Sequence, residues 1–384
     1  MKAHPVPAAL AVAAALLWTA PAFAQYCPCY TASSPNNTHD CAIEAVPGTN
    51  PTTPAWQPIF LLVAQGPLAW GTSGPSCGDI GQGCGKPEAY HEVPASFPCE
   101  LLKGIASQES GWKQFCVPTT PADQVGGPER TIISFDCGYG VGQVTSGMHV
   151  GENPGFDRER VASDATYSLA TGARILASKW RATQCVGDNQ PSVIEHWYTA
   201  TWAYNGLATS NNPNNPSYDP NRGVWDPMVG GSAPYQEKVW GWMEHTQGKW
   251  DGLEPAYPNP GEMGTDGSPP ELSEPSCASP TNCTATRPTH VTTCNGDGAG
   301  GAGGGGDGGT TGEGAAGGGS GDGGVGGQPT GGSGTTTAPG GITGDDGGCS
   351  CRQAGNGGGP GGWLLLMLLA ALAARCPGKR DMSQ

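Results

Sequence analysis

From Asn295 to Gly348 the chain is dominated by glycine, with threonine and aspartate between. Such a stretch has almost no apolar side chains to bury and no means of offsetting the entropy lost on folding. The composition turns that way earlier, where Asp251 gives over to Pro, Ser, Thr and Gly. Residues 252–348 therefore read as a disordered Pro/Gly-rich linker. Of the 384 residues, with 65 Gly and 36 Pro, what remains suffices for one moderate domain and its flanking segments.

The first residues have an export layout. Lys2 precedes an apolar run, Ala8–Trp18, and Ala22-Phe23-Ala24 has the small-residue form of a cleavage site. The run is too short to span a bilayer, so 1–24 reads as a removable signal peptide and Gln25 as the first mature residue. Export to an oxidising compartment implies that most cysteines are paired. Cys27, Cys29, Cys41, Cys77, Cys84, Cys99, Cys116, Cys137 and Cys185 precede the linker, and Cys277, Cys283 and Cys294 lie early in it. Nine is odd, so one of the first group pairs into the second or stays free; connectivity is open. Their spacings are irregular and no paired His lies nearby, which argues against a metal site.

Residues 25–94 are rich in Cys and Pro, and their main apolar run, Trp56–Trp70, reads as a short helix or strand packing on the domain. Gly66-Pro67 ends it either way. Two readings stand for Trp56 and Trp70, core filling and sugar stacking, with core favoured because large aromatics are buried on average.

The domain proper, 95–251, runs through several helix patterns, broken by a loop at Val117–Arg130, and shows no strand-type alternation of comparable length, so it is expected to be mainly α. Ser163–Trp180, Ser192–Tyr204 and Tyr235–Trp250 each repeat apolar residues at helical steps. The most informative helix is Leu101–Trp112, LLKGIASQESGW, with Ser96, Pro98 as an early helical residue and Glu100 in the first turn as its start signal. Leu101, Ile105, Glu109 and Trp112 fall on one stripe, which places a carboxylate on a buried face. Burial penalises the ionised form and raises the pKa, as a general acid requires near neutral pH. The plainer alternative is a Glu hydrogen-bonded to a neighbouring loop.

Two further stretches bear on that choice. Phe135–Met148, FDCGYGVGQVTSGM, is a glycine-rich turn with one amide side chain, and Thr199–Leu207, TATWAYNGL, ends an aromatic helix on Asn205-Gly206. GYGVG lacks the spacing and the Lys of a phosphate-binding loop. The ordered series ES-x-W, G-x-x-Q and AYNG resembles the soluble lytic transglycosylase (SLT) family, whose fold is like that of goose-type lysozyme. The resemblance spans roughly 94–250.

That resemblance implies a lysozyme-like fold and cleavage of the β-1,4 bond between N-acetylmuramic acid and N-acetylglucosamine, with a 1,6-anhydro product. Glu109 would be the sole acid and base, and no second carboxylate or cofactor would be needed. Ser110 matches the family Ser, Gly140 and Gln143 the outer residues of its G-L-M-Q, and Tyr204 and Asn205 its AYN; these five would bind substrate, with the Tyr204 hydroxyl holding the catalytic carboxylate. Gly142 and Thr145, where members often carry Met, are expected to widen or reshape the sugar groove. An ordinary glycosidase uses two acids. Asp136 is the best second candidate here, and otherwise a turn residue capping backbone N–H groups. The alternatives to a transglycosylase are a lysozyme-type hydrolase and a non-catalytic peptidoglycan-binding surface protein.

At the other end, 349–384 begins with Cys349 and Cys351 and contains a short hydrophobic helix, 363–374, followed by Arg375, Lys379 and Arg380. This resembles the MYXO-CTERM sorting tags of myxobacterial surface proteins. It implies handling by a sorting machinery, a transient or lipid-type membrane attachment, and a place at the cell surface or outer membrane. The formal net charge of -15 argues against nucleic acid as a partner. The expected partner is the peptidoglycan glycan strand, bound by a local groove rather than by overall charge.

Overall fold

The computed structural model describes residues 40–117, 129–134, 136–267 and 270–293. The expected leader 1–24, Cys27, Cys29, Cys294, the glycine tract and the tag 349–384 with its run 363–374 lie outside the described residues. Among the described residues seven α-helices carry most of the regular structure: α1 Thr53–Ala64, α2 Pro67–Trp70, α3 Cys99–Ser110, α4 Arg158–Ser163, α5 Ala165–Ala182, α6 Tyr198–Tyr204 and α7 Tyr235–Glu244. Two small antiparallel sheets pair β1 Ile80–Gln82 with β2 His91–Val93 and β3 Phe115–Cys116 with β4 Arg130–Thr131. Among the described residues no helix is long and apolar enough to cross a membrane.

The core is built around α3, which packs on α1 and α7, while α5 packs on α1, α4 and α6. Leu101 and Ile105 are buried on α3, as the periodicity requires. Trp56 and Trp70 are buried too, so the run Trp56–Trp70 is helical and its tryptophans fill core. Trp56 lies 5.6 Å from Phe60, and Phe60 lies 4.6 Å from Trp112. Gly66, at φ 81, divides α1 from α2 as the Gly-Pro signal indicated, and Ala95 packs against it so closely that a Cβ there would overlap backbone.

Helix ends depart from the expectation in informative ways. α3 begins after Pro98, which is its cap rather than an early helical residue. It stops at Ser110, where Gly111 and Trp112 both turn left-handed (φ 66 and 69) and send their N–H groups back to Ala106 and Ser107. Trp112 is therefore off the helix, though still buried. Asp164 caps α5 through the N–H groups of Thr166 and Tyr167, breaking the Ser163–Trp180 pattern one residue after its start. The Ser192–Tyr204 pattern opens as a 3-10 turn over Ile194–Trp197 before α6, and α7 ends at Glu244, short of Trp250.

Disulfides join Cys41 to Cys137, Cys84 to Cys185 and Cys277 to Cys283; Cys99 and Cys116 are also disulfide-bonded. Among the described residues Cys77 is the free thiol. The first two bridges close loops of 96 and 101 residues. A loop of that size restricts the unfolded chain by about 4–5 kcal/mol in the chain-entropy description. Cys41–Cys137 also ties the N-terminal segment to the glycine-rich turn, where the Tyr139 hydroxyl donates to the Ile43 carbonyl at 2.6 Å.

Residues 252–293 correct the linker reading. Their described part folds back across the domain, pairing Leu272 with Val186, Val291 with Val193 and Tyr257 with Cys277. Ala256, Tyr257, Met263, Leu272 and Cys277 are buried. Two buried carboxylates of the domain hold this strap. Glu100 accepts from the Thr292 hydroxyl (2.7 Å) and from the Thr293 N–H and hydroxyl (3.0 and 2.8 Å). Glu195 accepts from the N–H groups of Ala256 and His290 (3.1 and 2.8 Å) and faces His290 Nδ1 at 2.8 Å. A Pro- and Ser-rich segment shows no periodicity, yet its backbone donors complete acids that would otherwise be orphaned in the core.

Candidate active site

Glu109 sits on the last turn of α3, one turn beyond Ile105 on the buried stripe, and its side chain is only 7% exposed. The Tyr235 hydroxyl at the start of α7 donates to its Oε1. Burial pushes the Glu109 carboxyl up to about 8; the Asp136 charge adds to the rise and the Tyr235 bond opposes it. The group is therefore mostly protonated at neutral pH, a carboxylic acid able to donate.

The glycine-rich turn lies against this helix end. Ser110 donates to the Val141 carbonyl at 2.9 Å, and the Tyr204 hydroxyl donates to the Gly142 carbonyl at 2.7 Å. Glu109, Ser110, Gly140, Gln143, Tyr204 and Asn205 are thus gathered at one place, where α3, the turn and the end of α6 meet. Their individual bonds differ from those the motif implied. Tyr204 does not hold Glu109; Tyr235 does. The rings of the two tyrosines lie nearly parallel, 6.4 Å apart at 20°. Burial and the Glu109 charge hold the Tyr204 phenol well above its ordinary pKa, so it remains a neutral donor.

Gln143 donates its side-chain amide to the Gly140 carbonyl at 2.8 Å, closing the turn on itself. Gly140 has φ 63, and a Cβ there would overlap the Gln114 amide. Gln114, fully buried, is the residue that shapes the turn: its Oε1 accepts from Val141 N–H at 2.9 Å and its Nε2 donates to the carbonyls of Val161 and Ala162 (2.8 and 3.1 Å). Asn205 accepts from Asn211 Nδ2 at both its carbonyl and its Oδ1 (3.0 and 3.1 Å), holding the chain as it leaves α6. At Gly142 a Cβ would lie 3.4 Å from the Tyr204 hydroxyl and 3.7 Å from Gly172 Cα. These are ordinary contact distances, and Gly142 lines a small cavity together with Ile105, Leu169, Gly172 and Tyr204.

Asp136 is buried, at 8% exposure. Ser134 donates to one of its oxygens and itself accepts the Gly138 N–H at 2.8 Å, so Ser134 rather than Asp136 caps this turn. The other oxygen, Oδ2, has no hydrogen-bond partner among the described residues.

No family model, curated protein or solved structure matches this chain. The site therefore rests on its own chemistry and on the motif order.

A second group of ionisable side chains lies away from Glu109. Asp188, His196 and Glu274 have ligand atoms within 4.8 Å of one another, beside an open cavity of roughly 540 Å³. Their hydrogen bonds do not suit a metal. His196 Nδ1 accepts the Gln190 N–H at 2.8 Å, which puts the ring proton on Nε2, where it donates to Glu274 at 2.9 Å. A cation on Nε2 would move that proton to Nδ1, donor against donor. The cluster acts as a clamp between the strap and the segment before α6.

Sequence reasoning did not find Tyr235 or Gln114. Neither belongs to a local motif, and the one signal at Tyr235 was its place at the start of an amphipathic helix.

Proposed function

We propose that the protein is a peptidoglycan lytic transglycosylase with a lysozyme-like SLT domain, exported and displayed at the cell surface or outer membrane. One observation carries the reading: a buried, protonated Glu109, bonded by Tyr235, at the meeting point of three motifs in SLT order. A purely binding protein has no need of an acid poised near 8.

In this reading Glu109 gives its proton to the glycosidic oxygen between N-acetylmuramic acid and N-acetylglucosamine as the C1–O bond breaks. The muramic C6 hydroxyl oxygen then bonds to C1 and its proton passes to the Glu109 carboxylate, closing the 1,6-anhydro ring. No water is consumed. Tyr235 orients the carboxyl through both steps, and the negative charge of Asp136 favours the return of the proton. The signal peptide and the C-terminal tag support export and sorting, with glycan strands as partner.

A specific observation favours one alternative. Among the described residues Asp136 has a buried oxygen without a partner, and a water held there would make the enzyme a lysozyme-type hydrolase with two carboxylates. Mass spectrometry of purified peptidoglycan digested by the disulfide-bonded protein separates the two. Anhydro-muropeptides that disappear with Glu109→Gln establish the transglycosylase; reducing-end muropeptides establish the hydrolase. No products from the folded protein would leave neither standing.

A further inference from the structure

Where α3 ends, the half-buried Trp242 and Lys249 lie together against the buried rings of Trp225 and Trp112, and the proposed chemistry does not use them. Gln108, the residue before Glu109, accepts from Trp242 Nε1 at 3.1 Å. Trp225 meets Trp242 edge-on at 6.0 Å. On its other side Lys249 places its ammonium 5.9 Å from the Trp242 ring and 5.4 Å from Trp112, donating to the Gly111 carbonyl at 3.3 Å. Met228, 65% exposed and touching Gln247, extends the group outward.

Lys249 is the unusual member. It forms no ion pair among the described residues, although the chain carries a net charge of -15 and acids abound. Burial and the neighbouring Lys113 charge both lower its pKa, so its surroundings disfavour the cation it carries. One carbonyl at a helix end accounts for one of its three N–H donors. The remaining donors, beside the half-buried Trp242 indole, suit a carboxylate attached to a flat apolar or sugar surface.

We propose that Trp242 and Lys249 form a substrate subsite next to Glu109 that takes the carboxylate-bearing peptide stem of a glycan strand. The inference rests on the peptidoglycan reading of Glu109 and deepens it, because bare chitin-type glycans carry no such anion. It also explains how a strongly acidic protein holds an acidic polymer: the attraction is local, where overall charge is repulsive.

The test is calorimetric titration of the full disulfide-bonded protein carrying Glu109→Gln, which stalls turnover. Three probes are compared: a muropeptide tetrasaccharide with free stem carboxylates, the same molecule with those carboxylates amidated, and chitotetraose. The expected result is roughly tenfold tighter binding of the free acid than of the amide, the loss of one charge-assisted hydrogen bond. Adding Lys249→Met, which keeps the stem beside Trp242, should erase that preference and leave chitotetraose unchanged, whereas Lys249→Arg should keep it. Equal binding of acid and amide, or a preference that survives Lys249→Met, overturns the subsite and leaves the glycan reading intact. The acid-to-amide comparison needs no lysine variant, so a failure of Lys249→Met to fold does not blunt it. Binding of none of the three probes overturns the peptidoglycan reading and this subsite with it.

Discussion

The Tyr235 hydroxyl donates to the Glu109 carboxyl across 126 residues of sequence, joining the start of α7 to the end of α3. α3 and α7 are packed together along the core, with Gly104 letting Val239 and Met243 approach closely. The acid is thus positioned by a helix–helix contact rather than by its own loop.

Tyr235→Phe removes the bond that lowers the Glu109 pKa, so that pKa rises further. The alkaline limb of the pH–rate profile should move to higher pH, while the maximal rate falls roughly 10-fold or more as the carboxyl loses its orientation. Tyr204→Phe should leave the alkaline limb close to its place, because that hydroxyl bonds the Gly142 carbonyl. Paired pH–rate profiles on solubilised peptidoglycan check both.

Glu109→Gln should remove activity by about 10²–10⁴-fold and stabilise the fold in a pH-dependent way. The folded-state pKa of about 8 lies above the unfolded value, so the native state binds the extra proton between them and stability falls as pH rises through that window. The Gln variant carries no such penalty. Its advantage in urea unfolding, measured with disulfides intact, should be small at pH 4.5 and grow toward a few kcal/mol at pH 8, because each tenfold difference in proton affinity is worth roughly 1.4 kcal/mol.

Asp136→Asn removes the charge that raises the Glu109 pKa, so the alkaline limb should move to lower pH. If the enzyme is a transglycosylase, anhydro-muropeptides remain the product of this variant. Loss of all products, with Glu109 intact, would identify Asp136 as the second carboxylate of a hydrolase. Product analysis and a pH profile on the same variant distinguish these outcomes.

The strap should be part of the folding unit. A chain ending at residue 251 loses the donors of Glu100 and Glu195, and buried unsatisfied carboxylates are worth roughly 1–3 kcal/mol for each lost bond. A chain ending just beyond the strap, with the same N-terminus, should unfold at markedly higher urea than one ending at 251. Glu195→Ala in the full chain should lower the midpoint and expose the strap to limited proteolysis between 252 and 293.

The motif order anticipated which segments meet. Glu109 on a buried stripe follows from residue spacing, since periodicity reports which face of a helix leaves water, whereas the meeting of the ES, glycine-turn and AYN segments was implied by the resemblance of their order to the SLT pattern. Within the site the individual bonds were less legible. Gln143 and Tyr204 each donate to a carbonyl of the turn, and the turn in turn depends on Gln114, a residue with no motif around it.

Read as a string of residues, the chain already specifies a helical domain, one carboxylate on a buried helix face, and an apolar run containing Trp56 and Trp70. These are local properties, set by side chains a few residues apart. Three other features emerge only when the elements pack: Tyr235 rather than Tyr204 bonds Glu109, Cys77 is the free thiol of the described cysteines, and 252–293 is strap rather than tether. Each depends on which distant groups meet when helices pack, and a buried carboxylate takes whatever donor the packing brings to it, however far along the chain that donor lies.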